Sequence, residues 1–228
     1  EKERAHFIAL SEQNASYEVV TSSLKNLSFY LEQYHGVKPV VLIDEYDAPI
    51  HSGYGNGYYE KIIDFIRSFL GAGLKDNNAL NFAVMTGILR VAKESIFSGL
   101  NHLAVYTILN KKYETVFGFT QSEVDQLLEE YDLADRAEEV RDWYNGYVIG
   151  GQLSVYNPWS ILNFINNREI DVYWLNTSDN QLIHQVLSAS SASFKADLEN
   201  LMAEKSIEKE IDALVNFQRL DHYVEAVW

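Results

Sequence analysis

Apolar residues recur at three- and four-residue steps through Tyr17, Val20, Leu24, Leu27, Leu31 and Tyr34, which predicts an amphipathic helix over 16–34 ended by His35-Gly36. The period then disappears. Val40-Val41-Leu42-Ile43 is a short apolar run without alternation, the pattern of a strand over 39–44 buried on both faces in a parallel sheet. Gly53-Tyr54-Gly55-Asn56-Gly57 reads as a flexible loop. Tyr59, Ile62, Ile63, Ile66 and Leu70 predict a second helix closed near Gly71 and Gly73, and 80–86 predicts a second buried strand with Thr86 at its tip. Strand, crossover helix and strand make a right-handed parallel βαβ unit. A loop and short helix carrying Arg90, Lys93 and Glu94 follow, and Ala104–Leu109 is a candidate third strand.

The character changes near residue 117. Thr120-Gln121-Ser122-Glu123 is a capping box, with Phe119 and Val124 at the two staple positions. That helix continues through Leu127, Leu128 and Tyr131, and a further one carries Ala137, Val140, Trp143 and Tyr144 to an end at Asn145-Gly146. A hairpin turning at Gly150-Gly151 is predicted over 147–156. Asn157-Pro158 supplies an N-cap and a first-turn proline for a helix with Ile161, Leu162 and Ile165 inward, and 180–217 reads as more helix. The pattern therefore gives an α/β core over 1–116 and a mostly helical part over 117–228.

Composition narrows the function classes. A hydrophobic share of 47% and a charged share of 22% describe an ordinary globular chain. No apolar stretch approaches the roughly 18 residues that span a bilayer, so no membrane partner is expected. Zero Cys excludes a disulfide framework and a thiolate metal site, and a cytoplasmic location is expected. A net charge of −15 repels phosphate backbones, so direct nucleic-acid binding is not expected from this acidic portion.

Candidate chemistry sits where the first strand ends, at Asp44-Glu45-Tyr46-Asp47. At the carboxyl end of a buried parallel strand, side chains leave the core for the ligand crevice. An Asp there can hold a magnesium shell and the next Glu can polarise a water against a γ-phosphate; an acidic turn without chemistry fits the same residues. Thr86, on the neighbouring strand, can sense that phosphate or simply cap the next turn through its hydroxyl. Arg90 can present a planar donor fork to a phosphate or pair with Glu94 at helical spacing.

Other chemistries find no support. The six His show no His-Glu-x-x-His spacing, there is no Gly-x-Ser-x-Gly elbow, and no lysine has an acidic residue two positions before it as a restriction-type nuclease requires. Asp44, Glu45 and Asp47 could still bind magnesium. The aromatic set Trp143, Tyr144, Tyr147, Tyr156, Trp159, Tyr173 and Trp174 reads as packing between subdomains, since an acidic chain lacks the electrostatics of a base-stacking platform. No Gly-Lys pair occurs anywhere, so a phosphate-binding loop is missing. The chain also starts at Glu1 without an initiating Met. Either it is no ATPase, or it is a fragment whose first part lies upstream.

Several blocks in order resemble a known family. Leu42-Ile43-Asp44-Glu45-Tyr46-Asp47-Ala48-Pro49, Thr86-Gly87-Ile88-Leu89-Arg90-Val91 and Lys93-Glu94-Ser95-Ile96-Phe97 are similar to segments of the bacterial AAA-ATPase-like proteins, which often carry a C-terminal PD-(D/E)XK nuclease-like domain. Phe117-Gly118-Phe119-Thr120, Trp143-Tyr144-Asn145-Gly146-Tyr147 and Tyr156-Asn157-Pro158-Trp159-Ser160 extend the resemblance over nearly all of 16–187. It implies a partial P-loop NTPase core of the AAA/STAND type, a parallel sheet with helices, followed by a helical or winged-helix-like lid. It implies Asp44 as the Walker B ligand of Mg²⁺, with Asp47 beside it in cofactor binding. Glu45 would activate water, Thr86 would be the sensor residue, and Arg90 a phosphate contact. The family's Gly-Lys-Ser loop and first strand, and the nuclease-like segment, are absent. ATP and Mg²⁺ are thus expected in a longer parent, which would hydrolyse Mg-ATP to drive a conformational switch, with none bound by this portion alone. The alternative is a regulatory or scaffolding module whose output is binding of an unknown protein partner.

Overall fold

Helix α1 spans Lys2–Ser11, and the helical stretch expected over 16–34 is two pieces, α2 (Tyr17–Thr21) and α3 (Ser23–His35). A computed structural model describes residues 1–88, 100, 103–151, 153–174, 191–203 and 205–209. The break at Ser22 changes which stripe is buried. Thr21 and Ser28 are buried, whereas Tyr17, Leu27, Leu31 and Tyr34 are exposed. The hydroxyls tolerate burial because each donates back along the helix, Thr21 Oγ1 to the Tyr17 carbonyl at 3.0 Å and Ser28 Oγ to the Leu24 carbonyl at 2.8 Å.

Strand β1 (Val40–Ile43) pairs in parallel with β2 (Phe82–Met85), Val40 opposite Phe82 and Ile43 opposite Met85. The crossover is α4 (Ala48–Gly55), α5 (Tyr59–Leu70) and a π-helical turn, Gly71–Lys75. The expected βαβ order is therefore present, but the strands are not buried on both faces. Val41, Ile43, Ala83 and Met85 pack onto a core of Ile50, Ile63, Ile66, Leu70, Leu74 and Leu100. Their alternating neighbours Val40, Leu42, Phe82 and Val84 are exposed, Leu42 by 75%. The crossover helices cover one face only. The reading of 53–57 as a loop is corrected too, because α4 continues to Gly55. A Cβ on Gly53 would fall 2.5 Å from Cγ2 of Ile62, so this glycine lets α4 lie close against α5.

The chain divides into two compact units, Glu1–Leu103 with Leu182–Trp228, and Ala104–Gln181, so the change of character expected near 117 falls inside the second. The expected strand over 104–109 is not formed. Thr107–Asn110 is a turn in which Asn110 Oδ1 accepts from the Thr107 amide at 2.7 Å, a local bond that competes with strand pairing.

In the second unit, α6 (Gln121–Glu130) carries both halves of the capping box at Thr120 and Glu123. After a 3₁₀ turn come α7 (Ala137–Tyr144), then β3 (Asn145–Ile149) and β4 (Leu153–Tyr156), an antiparallel hairpin with Gly150 and Gly151 at positive φ. Helix α8 (Pro158–Asn167) is capped by Asn157, which accepts from the Ser160 amide at 3.1 Å. Val124, Leu128, Val140, Tyr156, Ile161 and Phe164 form the centre of its core. Leu162, expected inward, is exposed, and Phe164 takes the interior position. The aromatic set is split: Tyr144 and Tyr156 are buried, while Trp143, Tyr147, Trp159 and Trp174 stand about half exposed. In the first unit, α9 (Ala192–Met202) is capped by Ser191, whose hydroxyl accepts from the Phe194 amide at 3.2 Å. The rest of the helix expected over 180–217 lies largely outside the described residues. No helix among the described residues is long and apolar enough to cross a membrane.

Candidate functional site

One step past the last paired residues of the sheet, Ile43 and Met85, come Asp44 and Thr86. The parallel register thus brings side chains 42 residues apart to the same end of the sheet. The Thr86 hydroxyl donates to Asp44 Oδ1. The Glu45 amide also points inward, 3.1 Å from Asp44 Oδ1 and 3.3 Å from Thr86 Oγ1. Backbone bonds hold the tip in place, Thr86 N–H to the Ile43 carbonyl and Tyr46 N–H to the Thr86 carbonyl, both at 2.9 Å.

Glu45 adopts φ +50°, the left-handed region that L-residues enter at a cost. This turn reverses the chain from β1 into α4, whose N-cap is Asp47 and whose first turn contains Pro49. Asp44 and Glu45 are exposed, so two carboxylates and one hydroxyl face solvent at the carboxyl end of two parallel strands. Asp47 differs. It is 2% exposed, accepts from the Ile88 amide at 3.0 Å through Oδ2, and lies 3.2 Å from His51 Nε2.

The site residues expected from sequence are therefore distributed as follows. Asp44, Glu45 and Thr86 are brought together, and Asp47 is buried, bonded to the Ile88 amide and His51. Arg90 lies outside the described residues. Two participants were not singled out from the sequence. His51 stands at helical i,i+4 spacing from Asp47, a signal that was available. Gly87 approaches so closely that a Cβ there would fall 2.6 Å from Cε1 of Tyr46, which only the folded backbone reveals.

As a donor set, Asp44 and Thr86 are hard oxygens. Among the described residues no group of three or more His, Cys, Asp or Glu could by itself hold a metal ion. A single carboxylate with a hydroxyl suits a magnesium ion whose remaining positions are filled by water and substrate phosphates, and does not suit a protein-only metal cage.

Comparisons with known proteins give the chain's relatives. Residues 1–97, which contain the whole βαβ unit, match the AAA-ATPase-like family, described as "Predicted AAA-ATPase". A protein of Azotobacter chroococcum mcd 1, described as "Uncharacterized protein in vnfD 5'region", is 34% identical over 175 residues, 75% of this chain and 33% of that protein. The chain thus spans about a third of the length of the curated relative it matches. No solved structure matches it. Over residues 1–97 the chain is thus similar to the AAA-ATPase-like family.

Proposed function

We propose that the Asp44–Glu45–Thr86 tip is half of an ATP-hydrolysing site, completed in the full-length protein by a phosphate-binding loop. The observation that supports this most is the contact between the Thr86 hydroxyl and the Asp44 carboxylate at the ends of adjacent parallel strands. In a P-loop NTPase the acidic strand and its neighbour meet the terminal phosphate at that place. Asp44, with a carboxylate oxygen facing solvent, would hold Mg²⁺, which when bound neutralises charge on the phosphate oxygens. Glu45 would accept a proton from, or orient, the attacking water. Thr86, whose one hydroxyl proton goes to Asp44, would hold that carboxylate in place or turn from it to sense the γ-phosphate, and Arg90 would contact a phosphate. The second unit, with α6, α7, the hairpin and α8, would serve as a lid or winged-helix-like subdomain, and hydrolysis would drive a conformational switch.

The open sheet face supports the half-site reading. Val40, Leu42, Phe82 and Val84 present apolar side chains to water, an arrangement that a further layer of the full-length protein would cover. The test is a titration with Mg-ATP of this chain and of the full-length protein. Weak or no binding by this chain and tight binding by the full-length protein are expected; equally tight binding by both contradicts the half-site. A second reading, in which nucleotide is a structural ligand and partner contact is the output, draws on the half-exposed Trp143, Tyr147, Trp159 and Trp174. Under it, Glu45→Gln leaves partner binding unchanged and no turnover is measurable in either form.

A further inference from the structure

Asp47 stands apart from the carboxylates beside it. Asp44 and Glu45 are exposed, whereas Asp47 is 2% exposed and so depends on protein groups for the hydrogen bonds that water gives the others. Its Oδ2 receives the Ile88 N–H at 3.0 Å and lies 3.2 Å from His51 Nε2, one helical turn along α4. Between Thr86 and Ile88, Gly87 is pressed against the same turn: a Cβ there would fall 2.7 Å from Asp47 Oδ1 and 2.6 Å from the Tyr46 ring. The segment 46–47 and the segment 87–88 are thus closed onto each other. Thr86 is fastened on both sides. Its own amide and carbonyl bond to Ile43 and Tyr46, and two residues later the chain is fastened again at Asp47.

We infer that Asp47 is a positioning residue: its carboxylate, braced by His51, pins the Gly87–Ile88 backbone to the turn after β1 and so keeps the Thr86 hydroxyl on Asp44, without itself touching nucleotide or metal. The buried carboxylate at Asp47 is therefore reassigned from cofactor binding to holding the cofactor-binding tip in register. The catalytic consequence rests on the ATPase reading above; the pin itself does not.

Two readouts on the full-length protein separate them. Amide hydrogen exchange at Ile88, measured without nucleotide, reports the pin. Asp47→Ala should speed it by about tenfold or more, the scale of a hydrogen bond to a charged acceptor, while Asp47→Asn, which keeps an acceptor oxygen of the same shape, should retain most of the protection. Phosphate release from Mg-ATP reports the consequence: Asp47→Ala should lower kcat with KM for ATP unchanged, and Asp47→Asn should restore it. Unchanged exchange at Ile88 in Asp47→Ala overturns the inference, as does a raised KM with unchanged kcat, which would make Asp47 a nucleotide contact. Should Asp47→Ala fail to fold, Gly87→Ala parts the same two segments with the carboxylate kept. Exchange at Ile88 must rise there too, and no rise overturns the pin. Asp47-dependent protection in a protein with no turnover upholds the pin and removes the ATPase reading.

Discussion

The hydroxyl of Thr86 on the β2 side donates to the carboxylate of Asp44 on the β1 side, linking the two strand ends that carry the candidate chemistry. The same hydroxyl oxygen is 3.3 Å from the Glu45 amide, so one side chain orders both acidic residues. Thr86→Val keeps the shape and removes this link. It should lower unfolding free energy by about 1 kcal/mol, the net worth of an exposed hydrogen bond, and Thr86→Ser should recover most of it in urea denaturation. Equal stability of Thr86→Val and the unaltered chain would show that the hydroxyl does not order the tip.

Glu45 is held at φ +50° by the turn into α4. Glycine enters this region freely, so Glu45→Gly should not destabilise the chain and should raise its stability by up to about 1 kcal/mol, although it removes a side chain proposed for catalysis. A thermal melt checks this; a clear loss of stability would mean that the Glu45 side chain itself holds the fold.

The contact of α4 with α5 depends on the missing side chain at Gly53. Gly53→Ala should cost about 1–3 kcal/mol through overpacking against Ile62, and Ile62→Ala introduced with it should cost less than the sum of the two single changes. Additive costs in the double-mutant cycle would deny that the two residues meet.

In the second unit the capping box carries a pH dependence. The Thr120 amide and hydroxyl donate to Glu123 Oε2 at 2.8 and 2.7 Å, and these bonds, the backbone one foremost, hold the Glu123 carboxyl below its ordinary 4.5. A lowered folded-state value contributes stability above the unfolded value that is lost as pH falls through the folded one. Glu123→Ala should therefore lower Tm at neutral pH, and the difference from the unaltered chain should close once pH falls below 4.5 and through the lowered value. A Tm difference that persists in acid would mean that the charge of the Glu123 carboxylate is not what strengthens the cap, since helix propensity favours Ala.

How much of this was legible in the sequence follows from which signals are local. The capping box, the Asn157-Pro158 helix start and the Gly150-Gly151 hairpin are short-range, and each forms as read. The parallel pairing of 40–43 with 82–85 was legible because apolar runs around a crossover have few alternatives. Burial was less so. An apolar run states that a strand can be covered, not that both faces are, and Leu42 and Val84 are open. At 53–57 glycine signified close packing instead of a loop, a distinction that depends on Ile62, a residue on another helix. For the candidate site, Asp44, Glu45 and Thr86 were legible as strand tips. The roles of Asp47 and Gly87 were not, because they depend on the 87–88 backbone folding over the turn.

Leu42, 75% exposed, discriminates between the chain alone and the full-length protein. In this chain Leu42→Lys should change stability by no more than about 0.5 kcal/mol, since the side chain already meets water. In a full-length protein that covers the face, the same change buries a charge and should cost more than about 2 kcal/mol. Equal costs in urea denaturation of the two forms would mean that the face stays open.

The central claim is that Glu45 serves hydrolysis from a tip ordered by Asp44 and Thr86. Its most direct test is phosphate release from Mg-ATP by the full-length protein, measured with Glu45 and with Glu45→Gln alongside nucleotide binding. The account predicts that Glu45→Gln still binds Mg-ATP but loses turnover by about a hundredfold or more, the scale of a removed general base. Undiminished phosphate release by Glu45→Gln would contradict it.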